Sequence, residues 1–187
     1  MTSIDLAKTP SFRLDGKRAL VTGGGRGETA DALVLDVTDV EAVRKAVAQA
    51  EPFQVLVNNA GMNRPAYLPD VKIEDFDAIF ALNVRAAFFM AQAVALHLME
   101  AKLTGSIINI SSQMGHVGAA RRTVYCASKH AMEGFTKAMA IELAACSRRR
   151  LDGGLANSAH SRASGIQHWQ RWVPRFRGRR AAEKITH

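Results

Sequence analysis

Apolar and polar positions along this chain follow two rhythms. Short apolar runs, set off by glycine, proline and asparagine, fall at residues 17–22, 32–36, 53–58 and 105–111, and each predicts a buried strand. Elsewhere apolar residues recur three and four apart. Val40, Val43, Ala46 and Val47 predict a helix over residues 39–49, with Thr38 and Asp39 at its start to cap it. Phe76, Ile79, Phe80, Val84, Phe88 and Phe89 predict a long helix over residues 74–102. Ala131, Met132, Phe135, Met139, Ala140 and Leu143 predict a third over residues 123–145. Strands alternating with helices predict an α/β fold: a doubly wound parallel sheet of about four strands with flanking helices.

One interval is too short for that pattern. Nine residues separate Thr22 from Ala32. A parallel crossover takes roughly a dozen or more, usually with a helix. The interval opens on Gly23-Gly24-Gly25-Arg26-Gly27, a turn whose backbone could approach a phosphate closely. Such a turn works with a helix behind it, and here Glu28-Thr29-Ala30-Asp31 leads directly into the next apolar run.

Periodicity ends again near Ala145. Residues 146–187 show neither rhythm, and their nine Arg and one Lys against one Asp and one Glu account for the whole net charge of +8. Residues 1–145 are therefore neutral and read as the domain; residues 146–187 read as a basic, poorly ordered tail. The tail's composition resembles GC-rich codons read out of frame, so a frameshift near Ala145 is expected. The rival is a nucleic-acid arm, with Arg148 to Arg150, Arg171, Arg175, Arg177, Arg179 and Arg180 for phosphates and Trp169, Trp172 and Phe176 for stacking. The abrupt loss of pattern argues against specific nucleic-acid binding. Cys126 and Cys146 suggest no disulfide framework, and residues 1–10 lack a signal-peptide pattern, so the expected compartment is the cytoplasm. The apolar stretch 86–99, broken by Gln92 and His97, is too short to span a bilayer, so no membrane association is expected. No Cys/His cluster has metal-ligand spacing, so no metal is expected.

Chemistry concentrates in residues 107–129. Tyr125 and Lys129 lie four apart on one helix face. An ammonium fixed beside a phenol favours the phenolate, which suits a proton donor and acceptor near neutral pH. Ser112, thirteen residues before Tyr125, could hydrogen-bond the same substrate oxygen. Asn83 falls inside the long helix, where asparagine is mildly unfavourable, and so invites a specific role. Gln113 and His116 are candidates for polar contacts to substrate.

Asn58-Asn59-Ala60-Gly61, Leu82-Asn83-Val84, Asn109-Ile110-Ser111-Ser112 and Tyr125 to Lys129, with Thr22-Gly23-Gly24-Gly25-Arg26-Gly27 before them, resemble the ordered motifs of the short-chain dehydrogenase/reductases. The resemblance covers residues 12–144 and implies a Rossmann-like fold, shortened by loss of a helix–strand–helix block after Gly27. It implies NAD or NADP as cofactor, held by Gly23, Gly25, Arg26, Gly27, Asp36, Val37, Asn59, Ala60, Gly61, Tyr125 and Lys129. It implies catalysis by Asn83, Ser112, Tyr125 and Lys129, with Ser112, Gln113, His116 and Tyr125 meeting an alcohol or ketone substrate. It implies a homo-oligomer formed through helices 74–102 and 123–145. The polar loop 112–122 looks similar to those of sugar- and polyol-oxidising members. Two alternatives stay open: a 3-oxoacyl reductase-like activity, and an inactive fragment that at most pairs with intact subunits.

Overall fold

The computed structural model describes residues 14–24 and 32–152, with side chains in the last helix through residue 144. Three strands form one parallel sheet in the order β1 (Ala19–Val21), β2 (Val55–Asn58), β3 (Ser106–Asn109). Helix α1 (Val40–Gln49) leads into β2. Helix α2 (Ile73–Phe80), a π-helical segment (Ala81–Ala86) and helix α3 (Ala87–Glu100) run as one rod between β2 and β3. Helix α4 (Thr123–Asp152) follows β3.

The strands pair in register, with Leu20, Leu56 and Ile107 in one row. That row faces the helices. Leu56 and Ile107 are buried against Val43 and Val47 of α1 and Met90, Ala91, Val94, Ala95 and Leu98 of α3, while Met139 and Leu143 of α4 close the margin. Fully burying a side chain of this size contributes about 1.5–3 kcal/mol. Val21, in the row pointing the other way, is 50% exposed. The helices described here thus cover one face of the sheet. Loop 101–105 is held tightly on this core: a Cβ on Gly105 would lie 2.6 Å from Leu98 Cδ1 and 2.8 Å from the Gln54 carbonyl.

Residues 32–36 do not form the expected strand. Val34 is 97% and Leu33 58% exposed, and among the described residues the sheet has three strands rather than four. A strand exists only through its ladder. Nine residues are too few for a right-handed crossover onto the free edge of β1, so an apolar run suited to pairing remains extended and unpaired.

The helices match expectation with three differences. Asp39 alone caps α1, its carboxylate accepting from the amides of Glu41 and Ala42. The long helix ends at Glu100 rather than residue 102, because Lys102 turns to φ +55° and the Lys102 and Leu103 amides bond back to the Met99 and Leu98 carbonyls. Helix α4 passes residue 145, where the domain was expected to end, and continues to Asp152; no helix breaker occurs before Gly153-Gly154. The remaining tail, residues 153–187, lies outside the described residues. The run Ile73–Glu100 is long and apolar enough to cross a membrane by length and composition alone. Its α3 part instead packs on the sheet, as a core helix does.

Candidate active site

The carboxyl ends of the three strands converge, the position where open α/β sheets bind ligands. Thr22, just after β1, ties two of these ends together. Its Oγ1 accepts from the amides of Asn59 (3.1 Å) and Ala60 (3.0 Å), and its carbonyl accepts from Asn59 Nδ2 at 3.0 Å. Gly23 has φ +74°, and a Cβ there would stand 3.0 Å from Ala60 Cα. The glycine is therefore needed both for its backbone conformation and for the close approach. Beside it, Asn58 Nδ2 donates to Asn109 Oδ1 (2.8 Å) and to the Ala87 carbonyl (3.0 Å), and Asn109 Nδ2 donates to Thr136 Oγ1 on α4 (2.9 Å). This row of amides fixes β2, β3, α3 and α4 to one another.

Asn83 sits in the π-helical segment with no exposed surface. Its Oδ1 accepts from the Met62 amide at 2.8 Å. Its Nδ2 donates to the Met62 carbonyl at 2.9 Å and to Ser128 Oγ at 3.1 Å. Ser128 Oγ donates in turn to the Tyr125 carbonyl at 2.8 Å. Asn83 thus joins the turn after β2 to the first turns of α4. A wide π turn places a residue where an α-helical position would not reach, and such turns recur at functional sites.

Lys129 is 5% exposed. Its Nζ donates to the Ile110 carbonyl at 2.8 Å and lies 5.8 Å from the centre of the partly buried Tyr125 ring. Gly61 lies against the same group: a Cβ there would be 3.8 Å from Lys129 Nζ and 3.3 Å from Asn83 Oδ1. Burial pulls the Lys129 pKa below 10.5, and the negative charge of Glu133 one turn along pushes it back up. Between the depressed folded-state value and 10.5, the unfolded chain binds the extra proton, so stability rises with pH across that window. The urea midpoint of the parent chain should therefore climb towards alkaline pH more steeply than that of Lys129→Met. Parallel pH profiles would mean that the ammonium is as well solvated in the fold as outside it.

Ser112 caps a short 3-10 turn, Gln113–Gly115, its Oγ accepting from the Met114 amide at 3.2 Å. Gln113 is exposed. His116 is half exposed and turns Nε2 towards Glu133 Oε1, 3.5 Å away. Asp36 is exposed, and hydrogen bonds from the Thr38 amide and hydroxyl hold its carboxyl below the usual range. Val37 lines a small cavity with Thr22, Asn58, Ala60 and Leu82. Gly25, Arg26 and Gly27 lie outside the described residues. Among the described residues no group of three or more His, Cys, Asp and Glu could hold a metal ion.

The structure therefore brings together Gly61, Asn83, Tyr125 and Lys129, while Ser112 stands two residues past Ile110, whose carbonyl accepts from Lys129 Nζ. Sequence reasoning passed over Thr22, Ser128 and Glu133. Glu133 carried a signal, since it stands four residues beyond Lys129 on the same helix face.

A family model described as short chain dehydrogenase matches residues 17–147. The chain belongs to the short-chain dehydrogenase family. Members are NAD(P)-dependent oxidoreductases, and the parallel sheet with flanking helices is their Rossmann-like fold. Bovine L-xylulose reductase is 33% identical over 165 residues, covering 71% of this chain and 68% of its own length. The 3-oxoacyl-[acyl-carrier-protein] reductase of Thermotoga maritima is 42% identical over 118 residues, covering 61% and 48%. Among solved structures, a gluconate 5-dehydrogenase from Burkholderia cenocepacia, in complex with NADP and tartrate, superposes with a TM-score of 0.65 at 31% identity. That match covers 70% of this chain and 67% of the other. The chain thus spans about two thirds of the sugar-acting relatives and under half of the acyl-carrier reductase.

Proposed function

We propose that this chain binds NAD(P) across the carboxyl ends of its three strands and interconverts a secondary alcohol of sugar or polyol type with its ketone. The observation that carries the reading is the buried Lys129 ammonium set beside the Tyr125 ring at the end of β3. The residues described fit a nicotinamide cofactor on its reactive side. Gly61 and Asn59 are exposed at the strand ends, Gly61 puts no side chain between that surface and Lys129 Nζ, and Val37 and Ala60 line a small cavity. When bound, the nicotinamide supplies or accepts the hydride.

The side chains do the rest. Tyr125 gives a proton to the substrate oxygen in reduction and takes it back in oxidation. The Lys129 ammonium, held by the Ile110 carbonyl, stands beside that ring. Ser112 Oγ, already accepting from Met114, keeps its own hydrogen for the same oxygen. Asn83 spends its amide on Met62 and Ser128, and its part is to hold the turn after β2 against the helix of Tyr125 and Lys129. Gln113 and His116 border the substrate side. The likeness to L-xylulose reductase and gluconate 5-dehydrogenase supports a sugar or polyol over an acyl thioester. Exposed Ile73, Phe76 and Ile141 support subunit pairing through α2 and α4. The bovine match, 165 residues long, uses only 71% of 187 residues here, which supports the internal deletion after Gly27.

A second reading is favoured by the unpaired residues 32–36: a chain that keeps the catalytic side chains without holding cofactor. Thermal melts with and without millimolar NADH and NADPH separate the two. A cofactor present at 100 times its Kd adds about 2.7 kcal/mol of apparent stability. A clear upward shift with one cofactor, followed by its oxidation with a ketose, is the expected result. A cooperative melt indifferent to both would establish the second reading.

A further inference from the structure

The loop after Ser112 rests on α4 through one acidic side chain that the reaction outlined above does not use. Glu133 is 7% exposed. The loop comes down on it at Gly115, where a Cβ would stand 3.1 Å from Glu133 Cγ, 3.1 Å from the Lys129 carbonyl and 2.9 Å from Ser111 Oγ. His116 Nε2, the next residue along, lies 3.5 Å from Glu133 Oε1. The carboxylate thus stands one helical turn from Lys129, whose charge it favours, and 3.5 Å from the His116 imidazole on the loop. A nearly buried carboxylate needs partners of this kind, because leaving it unpaired is costly. The loop is also stiff between this contact and the site. Gly115 N bonds to the Ser112 carbonyl at 2.9 Å, His116 N to the Gln113 carbonyl at 3.0 Å, and Met114 N to Ser112 Oγ at 3.2 Å. Movement at His116 therefore carries Ser112 with it.

We propose that Glu133 is a positioning residue: by holding Gly115 and His116 against α4, it sets where the Ser112 hydroxyl stands relative to Tyr125. The proposal rests on Ser112 and Tyr125 meeting one substrate oxygen. Its geometric part can be read without turnover. Glu133→Gln keeps the shape and removes the charge, His116→Ala removes the loop partner, and the two are combined in a third variant. Hydrogen exchange on the full-length chain reports the amides of residues 112–118 and those of α4 separately. Each single variant should speed exchange in the loop about fivefold, the double variant should be no faster than either single, and α4 should be unchanged.

Parent-like loop exchange in Glu133→Gln would overturn the proposal. So would additive effects in the double variant. These outcomes do not depend on cofactor binding. A chain without turnover leaves the latch intact, and a failed latch leaves the roles of Tyr125 and Lys129 standing.

Discussion

Asn83→Ala should cost about 3 kcal/mol or more of folding stability, a large part of the ~5–15 kcal/mol that holds a typical domain together. Asn83 has no exposed surface and makes three hydrogen bonds. Cutting it to alanine leaves the part-buried Met62 amide and carbonyl and the buried Ser128 hydroxyl short of a partner. Each such loss costs about 1–3 kcal/mol. Asn83→Asp sharpens the test. Aspartate has the same shape and can still accept from the Met62 amide, but it can no longer donate to the Met62 carbonyl. It should destabilise nearly as much as alanine. Urea unfolding of the three chains measures both effects. A loss under 1 kcal/mol for Asn83→Ala would mean that the turn after β2 is held by something other than this side chain.

Tyr125→Phe should slow turnover about a hundred- to ten-thousandfold, the usual contribution of a positioned acid or base, while leaving folding and the cofactor-induced melt shift near those of the parent. The substitution keeps the ring, which is partly buried and stands over Lys129 Nζ, and takes away only the hydroxyl. Stopped-assay rates with the preferred cofactor and a ketose, set beside the melts, separate a lost proton from a lost fold. Turnover within about tenfold of the parent would remove Tyr125 from the reaction.

How much of this was legible in the sequence depended on whether a feature was local. The apolar runs that became β1, β2 and β3 sit between glycines and asparagines, and each found a neighbour. The run at residues 32–36 carries the same signal, yet pairing depends on what the preceding chain can reach, and composition does not record reach. The cap at Asp39 was readable because capping takes place within three residues. The end of α3 was misread because the left-handed residue there is Lys102, where a glycine is the usual mark. At the site, Tyr125 and Lys129 were visible from their spacing, and Asn83 from its poor fit to a helix interior. Ser128 and Thr22 were not, since each matters only through a partner 45 or 37 residues away. Helical periodicity also continued smoothly through residues 81–86 and gave no sign of the wider turn there.

That wider turn sets the rotational phase of everything after it. An α-helix advances about 100° per residue, so one residue more or fewer in a turn swings the following helix by that angle. Ile79 of α2 is buried upstream of Ala81–Ala86, and Met90, Val94 and Leu98 of α3 are buried against the sheet downstream. Ile79 stands outside the cluster that Met90, Val94 and Leu98 join on the sheet, and the π segment sets the angle between these two buried faces. Deleting a single residue between Ala81 and Ala86 would tidy the helix locally and turn Met90, Val94 and Leu98 away from Leu56. The turn that carries Asn83 into the site and the alignment of the hydrophobic core are thus geared together, and a length change there would forfeit both in one step.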